Sequence, residues 1–253
     1  MPESFLGNKT GFMANYAQTH LQLYRQLQDA SYGEEALVLV DRAYQIAMRL
    51  FAGHYRPNNK PFLIHLVGVA SILLNARQPA VVIAAGLLHS AYLGLGGKGS
   101  QVNRTYRKQI AESLGQEVEQ LIYAYSNRGW SVHDFRDLED DPQSLTIGDR
   151  QLYLIKLADI HEEFLDAGHL YQPQKKLLWD EDTNKSWLQD VGKRISTLGY
   201  ESWAQEFRLA VDSNKGNPPD AIRGKAISSY IVSPGFLSEN HWKNKLIRWL
   251  RRH

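Results

Sequence analysis

The chain contains no cysteine. Disulfides, thiolate nucleophiles and cysteine-ligated zinc are therefore excluded, and a reducing compartment is compatible with the composition. No stretch reaches 18 uninterrupted apolar residues, and the opening MPESFLGNKTGF lacks a basic region followed by an apolar one. Neither a secretion signal nor a membrane span is expected, so the expected location is cytoplasmic. No large charge of one sign is present either. The net charge of the 253 residues is +2, which argues against a wholly basic nucleic-acid binder. Repeats and a convincing strand pair are absent as well.

What is there is apolar material arranged with helical spacing. Apolar residues make up 43% of the chain, enough for a sizeable core. Thr19 is placed to cap a helix through Leu21, Leu23, Tyr24 and Leu27. A second helix is expected over 34–52, with Leu37, Val40, Ala43, Tyr44, Ala47 and Leu50 on one face. Further helices are expected over 64–75, from Pro79 through Tyr92, and over 103–125, 149–167, 187–198 and 199–211. The fold class is all-α, with residues 1–212 as one helical domain. Residues 213–238, with three prolines and three glycines, read as a linker or extended arm.

The tail at 239–253 has a pattern of its own. Trp242, Leu246, Trp249 and Leu250 share one helical face. Lys243, Lys245, Arg248, Arg251 and Arg252 give the last eleven residues five positive charges and no acid. The rest of the chain then nets about −3. Such a helix suits an anionic membrane surface or an acidic partner, which would make the protein peripheral to a membrane; docking on the protein's own body is the plainer alternative.

Two histidines interrupt the most apolar segment, PFLIHLVGVASILLNARQPAVVIAAGLLHSAY, at His65 and His89. Three stretches follow in order: AGHYRPNNKPFLIHLVGVASIL, AAGLLHSAY and LIKLADIHEEFLD. Over about residues 41–166 they resemble the HD-domain superfamily, and within it the hydrolase domain of RelA/SpoT-type alarmone enzymes. The resemblance rests on Arg56 nine residues before His65, on Gly68-Val69-Ala70 with Ile72-Leu73, on His89 at the end of a helix, and on Lys156-Leu157-Ala158-Asp159. It implies an HD-like helical bundle in which His65, His89 and Asp159 are metal ligands and Arg56 lies near a nucleotide base. Imidazole and carboxylate together suit a single Mn, Fe or Zn.

The sequence departs from that family in two places. Ser90 stands where the His-Asp pair has its aspartate, and Leu93-Gly94 stand where the hydrolases carry a Glu-Asp pair. A hydroxyl is a poorer ligand than a carboxylate, and the residues expected to handle the attacking water are gone. The expectation is therefore a degenerate HD-domain protein that keeps a pocket for a small, phosphate-bearing ligand. It is not expected to be a competent alarmone hydrolase or to hold a metal tightly. The alternatives are a mononuclear metal-dependent hydrolase and an HD-type oxygenase. Arg56, Ser90, Tyr92, Lys156 and Glu163 are the candidate ligand-binding residues. Glu162 and Glu163, three and four residues after Asp159, are each placed to supply a carboxylate, whereas His161 should point elsewhere. Plainer readings stand beside these. The histidines can be core residues bonded to backbone, Asp159 can pair with Lys156, Arg56 can be an exposed loop residue, and Tyr92 can fill space. LGLGGKGS, with Lys98, can hold an anion but lacks Walker spacing, and the acids from Asp134 to Asp141 read as a solvated loop.

Overall fold

The structure, a computed structural model, describes residues 15–94, 104–130, 141–173 and 181–232. The LGLGGKGS loop beyond Gly94, most of the acidic run, and the basic tail lie outside these residues.

The fold is all-α. Helix α1 (His20–Asp29) starts where Thr19 closes a capping box with Gln22. Helix α2 (Glu34–Phe51) begins with two glutamates, which complement the positive end of its dipole, and buries Val40, Ala43, Ala47 and Phe51. Helices α3 (Phe62–Asn75) and α4 (Ala80–Leu87) are buried almost all round and form the centre of the bundle. They pack on each other and against α2, α7 (Gln116–Asn127) and α8 (Ile147–Leu165). Gly86 permits the close α3–α4 approach: a Cβ there would lie 2.5 Å from Leu73 Cδ1. Outside this centre lie α5 (Ala91–Gly94), α6 (Arg104–Leu114), α9 (Glu181–Thr197) and α10 (Glu201–Ser213). Buried apolar side chains from Ala17 to Phe207 form one continuous core.

Two expected helices are broken in two. The helix read from Pro79 through Tyr92 stops at Leu87, and α5 begins after a turn at Leu88–Ser90. The imidazole of His89 replaces a backbone donor there, since its Nδ1 bonds the Gly86 carbonyl at 2.8 Å. The helix read over 103–125 divides at Gly115, whose φ of +93° no other residue type adopts readily.

The expectation of no strand pair is corrected. Strands β1 (His54–Tyr55) and β2 (Tyr230–Ile231) pair antiparallel, His54 opposite Ile231 and Tyr55 opposite Tyr230. The described part of the expected linker is thus an arm laid along the loop before α3. Gly224 N–H donates to the Tyr171 carbonyl at 2.9 Å, and a Cβ on Gly224 would overlap the Pro57 carbonyl. Tyr230 donates its hydroxyl to Asn59 Oδ1 at 2.7 Å, and Val232 N–H donates to the Gly53 carbonyl at 2.8 Å. No helix among the described residues is long and apolar enough to cross a membrane.

Candidate functional site

Three helical segments deliver polar groups into the apolar centre. His65 sits one turn into α3, with no exposed surface. His89 sits on the turn that ends α4 and is 2% exposed. Asp159 lies on α8, its side chain 15% exposed. One donor atom from each falls within 4.8 Å of the others. Nε2 of His65 is 3.3 Å from Asp159 Oδ1, and Nε2 of His89 is 3.7 Å from the same oxygen. The two imidazoles meet edge to face at 5.4 Å between centroids.

The far side of each ring is fixed. His89 Nδ1 faces the Gly86 carbonyl, which can only accept, so the ring proton belongs on Nδ1. His65 Nδ1 lies 2.5 Å from Glu162 Oε2. Both Nε2 atoms are then lone pairs aimed at a carboxylate oxygen, an arrangement of acceptors without a donor. His65 Nε2 is buried and lacks a hydrogen-bond partner. Burial holds the His89 pKa down at about 4; the Asp159 charge opposes that, while His65 and Lys156 add to it. His89 is thus neutral at pH 7.

This donor set fits a metal ion. Two ligand atoms each about 2.1 Å from one ion at a tetrahedral angle lie about 3.4 Å apart. The nitrogen-to-oxygen separations at this site bracket that value. Ring N–H groups anchored by a carbonyl and a carboxylate are also what metal-bound histidines require. His65, His89 and Asp159 can hold a divalent ion with positions left open for other ligands.

The second oxygen of Asp159 is already engaged. Lys156 Nζ approaches Oδ2 at 2.7 Å and Tyr125 donates its hydroxyl to it at 3.0 Å. Burial alone would raise the Asp159 pKa; opposing causes, the Lys156 cation the largest of them, outweigh it and keep the carboxyl well below its usual range. Tyr125 is pushed well above the usual phenol range by burial first, and then by Asp159. Ion pairing at Asp159 thus runs through Oδ2 and leaves Oδ1 facing the two rings.

The remaining candidates divide. Arg56 pairs with Glu163 at the rim, the two side chains 16% and 20% exposed. Lys156, 20% exposed, shares that rim. Ser90 is half-buried on the His89 turn. Glu162 faces inward to His65, whereas Glu163 turns to Arg56, so the two carboxylates serve different partners. Tyr92 departs from the expectation of ligand binding. Its ring is fully buried and its hydroxyl donates to Glu119 Oε1 at 3.1 Å, beside Arg107 on α6. It fills the core on the α6–α7 side. His161 points away as expected, accepting from Trp203 Nε1 at 2.8 Å, and burial lowers its pKa to about 3.

Lys60 and Tyr125 join the site without having been anticipated. Lys60 pairs with Glu162 and lies 2.8 Å from Asp166 Oδ2. Its only signal was its place in the loop before α3. Tyr125 sits near the end of α7 with its ring 5.2 Å from that of His89, and nothing in its sequence context marks it.

Fold and site together define a helical bundle with a buried histidine–carboxylate centre. The sequence profile of a domain of unknown function (DUF6817) matches residues 48–128. That span runs from the end of α2 through α7. It contains Arg56, His65, His89 and Tyr125 and stops short of Asp159 on α8.

Proposed function

We propose that this is a degenerate HD-domain-like protein that binds one divalent ion loosely through His65, His89 and Asp159 and accepts a small anionic, phosphate-bearing ligand beside it. The observation that supports it best is the convergence of the two imidazoles and one carboxylate oxygen on one point, with His65 Nε2 buried and without a hydrogen-bond partner. A bound ion would act as a Lewis acid toward ligand oxygens at the open positions. One carboxylate supplies a single negative charge, and Lys156 already offsets it, so affinity for a divalent ion is modest. Arg56 and Lys156 at the partly exposed rim suit an anion that brings the missing charge.

The same geometry disfavours alarmone hydrolysis. Besides Asp159, the described acids beside the centre are Glu162, tied to His65 and Lys60, and Glu163, tied to Arg56. Neither is free to take a proton from water. General-base help is worth roughly 10²–10⁴-fold. A hydrolase or an oxygenase would need a base or ligand beyond those among the described residues.

Two measurements test the reading. Elemental analysis of protein purified without chelator or nickel resin should find well under one metal per chain, and titration with Zn²⁺ should then saturate one site that His65→Ala abolishes. Guanosine tetraphosphate with Mn²⁺ should remain intact by nucleotide chromatography. Turnover of about 1 s⁻¹, ordinary for an enzyme, would overturn the degenerate reading, and a titration with no saturable site would overturn the metal.

A further inference from the structure

Glu162 occupies a place that a three-ligand centre does not by itself require. We infer that Glu162 is the positioning residue of this site: it keeps the His65 proton on Nδ1 and so presents Nε2 as a lone pair. The inference rests on the metal reading for its purpose, although its geometry stands apart from it.

Three segments cooperate to put this carboxylate there. From α8, Glu162 reaches His65 Nδ1 at 2.5 Å with its side chain 2% exposed. The loop before α3 contributes Lys60, which pairs with the other oxygen. Gly68 on α3 provides the room, since a Cβ there would lie 2.7 Å from Glu162 Cγ and 2.9 Å from Oε1. A buried carboxylate without partners would be costly, and this one has a cation on one oxygen and an imidazole on the other. A carboxylate only accepts, so the hydrogen of the contact belongs to the ring. The carbonyl of Gly86 does the same for His89 with a weaker acceptor.

The test uses the full-length protein with ¹⁵N-labelled histidine, free of metal. Long-range ¹H–¹⁵N spectra should show His65 with its proton on Nδ1. In Glu162→Gln the amide can donate instead of accept, and the Nε2-protonated form should appear. Zn²⁺ affinity by calorimetry should fall about 10–100-fold, the usual loss for a missing outer partner. Lys60→Met leaves the His65 contact in place and should keep the Nδ1 tautomer. Should Glu162→Gln not fold, Glu162→Asp, which withdraws the carboxylate by one methylene, is read in the same way. An Nδ1 proton and wild-type Zn²⁺ affinity in a folded Glu162 variant would overturn the inference. Absence of Zn²⁺ binding by the wild type would instead sink the metal reading, and the tautomer would still decide the role of Glu162.

Discussion

Replacing Gly68 by alanine sets two effects against each other. In a helix interior, alanine is favoured over glycine by about 1 kcal/mol. Gly68 lies inside α3 with a helical backbone, so the substitution should stabilise the protein if nothing stood nearby. Glu162 stands nearby: its Cγ, Oε1 and Cδ would lie 2.7, 2.9 and 3.2 Å from the new methyl. The side chain is 2% exposed and tied at both oxygens, so it can yield only by leaving His65 or Lys60. A hydrogen bond involving a charged group contributes about 1.5–3 kcal/mol. Losing one, less the helix gain, leaves Gly68→Ala about 0.5–2 kcal/mol less stable. For a chain of this size that lowers Tm by a few degrees. Urea denaturation and a thermal scan, each with and without Zn²⁺, measure both parts. The variant should melt earlier and gain less from Zn²⁺ than the wild type. A Tm that rises would show Glu162 to be loosely held and would refute the reasoning.

Metal-free protein should weaken in mild acid. With a folded pKa of about 4 for His89 against an unfolded value near 6.5, the unfolded chain binds the extra proton. This contribution is complete above about pH 6.5 and is lost as pH falls toward 4, up to about 3 kcal/mol. Urea midpoints between pH 7 and 4.5 should drop more steeply for the wild type than for His89→Gln, and parallel curves would contradict this. Tyr92→Phe should cost about 1 kcal/mol in urea denaturation by removing its bond to Glu119, yet leave the Zn²⁺ titration unchanged. Gly33 caps α2 with extended backbone, no side-chain hydrogen bond and open space around its Cα. Gly33→Ser should therefore raise stability by a few tenths of a kcal/mol, seen as a higher urea midpoint.

Local patterns in the sequence marked most of the helices, and the resemblance to HD domains pointed to His65, His89 and Asp159, which the structure brings together; neither pointed to the partners around them. Thr19 with Gln22 marks the start of α1, and the apolar spacing of 34–52 follows α2 to within a residue. The turn after α4 was illegible because Leu88 to Tyr92 have no helix breaker; a side-chain bond from His89 ends the helix. Gly115 was visible as a glycine, but only its positive φ separates α6 from α7. Strands of two residues have no periodicity to read, so the β1–β2 pair left no trace. Lys60 and Tyr125 act through atoms that are near in space and far in sequence, which no local pattern encodes. Tyr92 followed the histidine motif in sequence, but the turn at His89 sends its ring to the α6–α7 side.

The arm at β2 places the end of the described chain on the loop that supplies Arg56 and Lys60. Tyr230 and Asn59 are bonded across 171 positions of sequence. During synthesis, α3, α4 and α8 can pack long before residue 230 leaves the ribosome, whereas the loop holding Lys60 must wait for its strand partner. Contacts of such separation repay their loop-closure entropy last. The candidate ligands, with Glu162 on α8, are thus gathered early and the loop that holds Lys60 is fastened late. A nascent chain stalled near residue 216 would present His65, His89 and Asp159 before the arm had secured the surrounding loop.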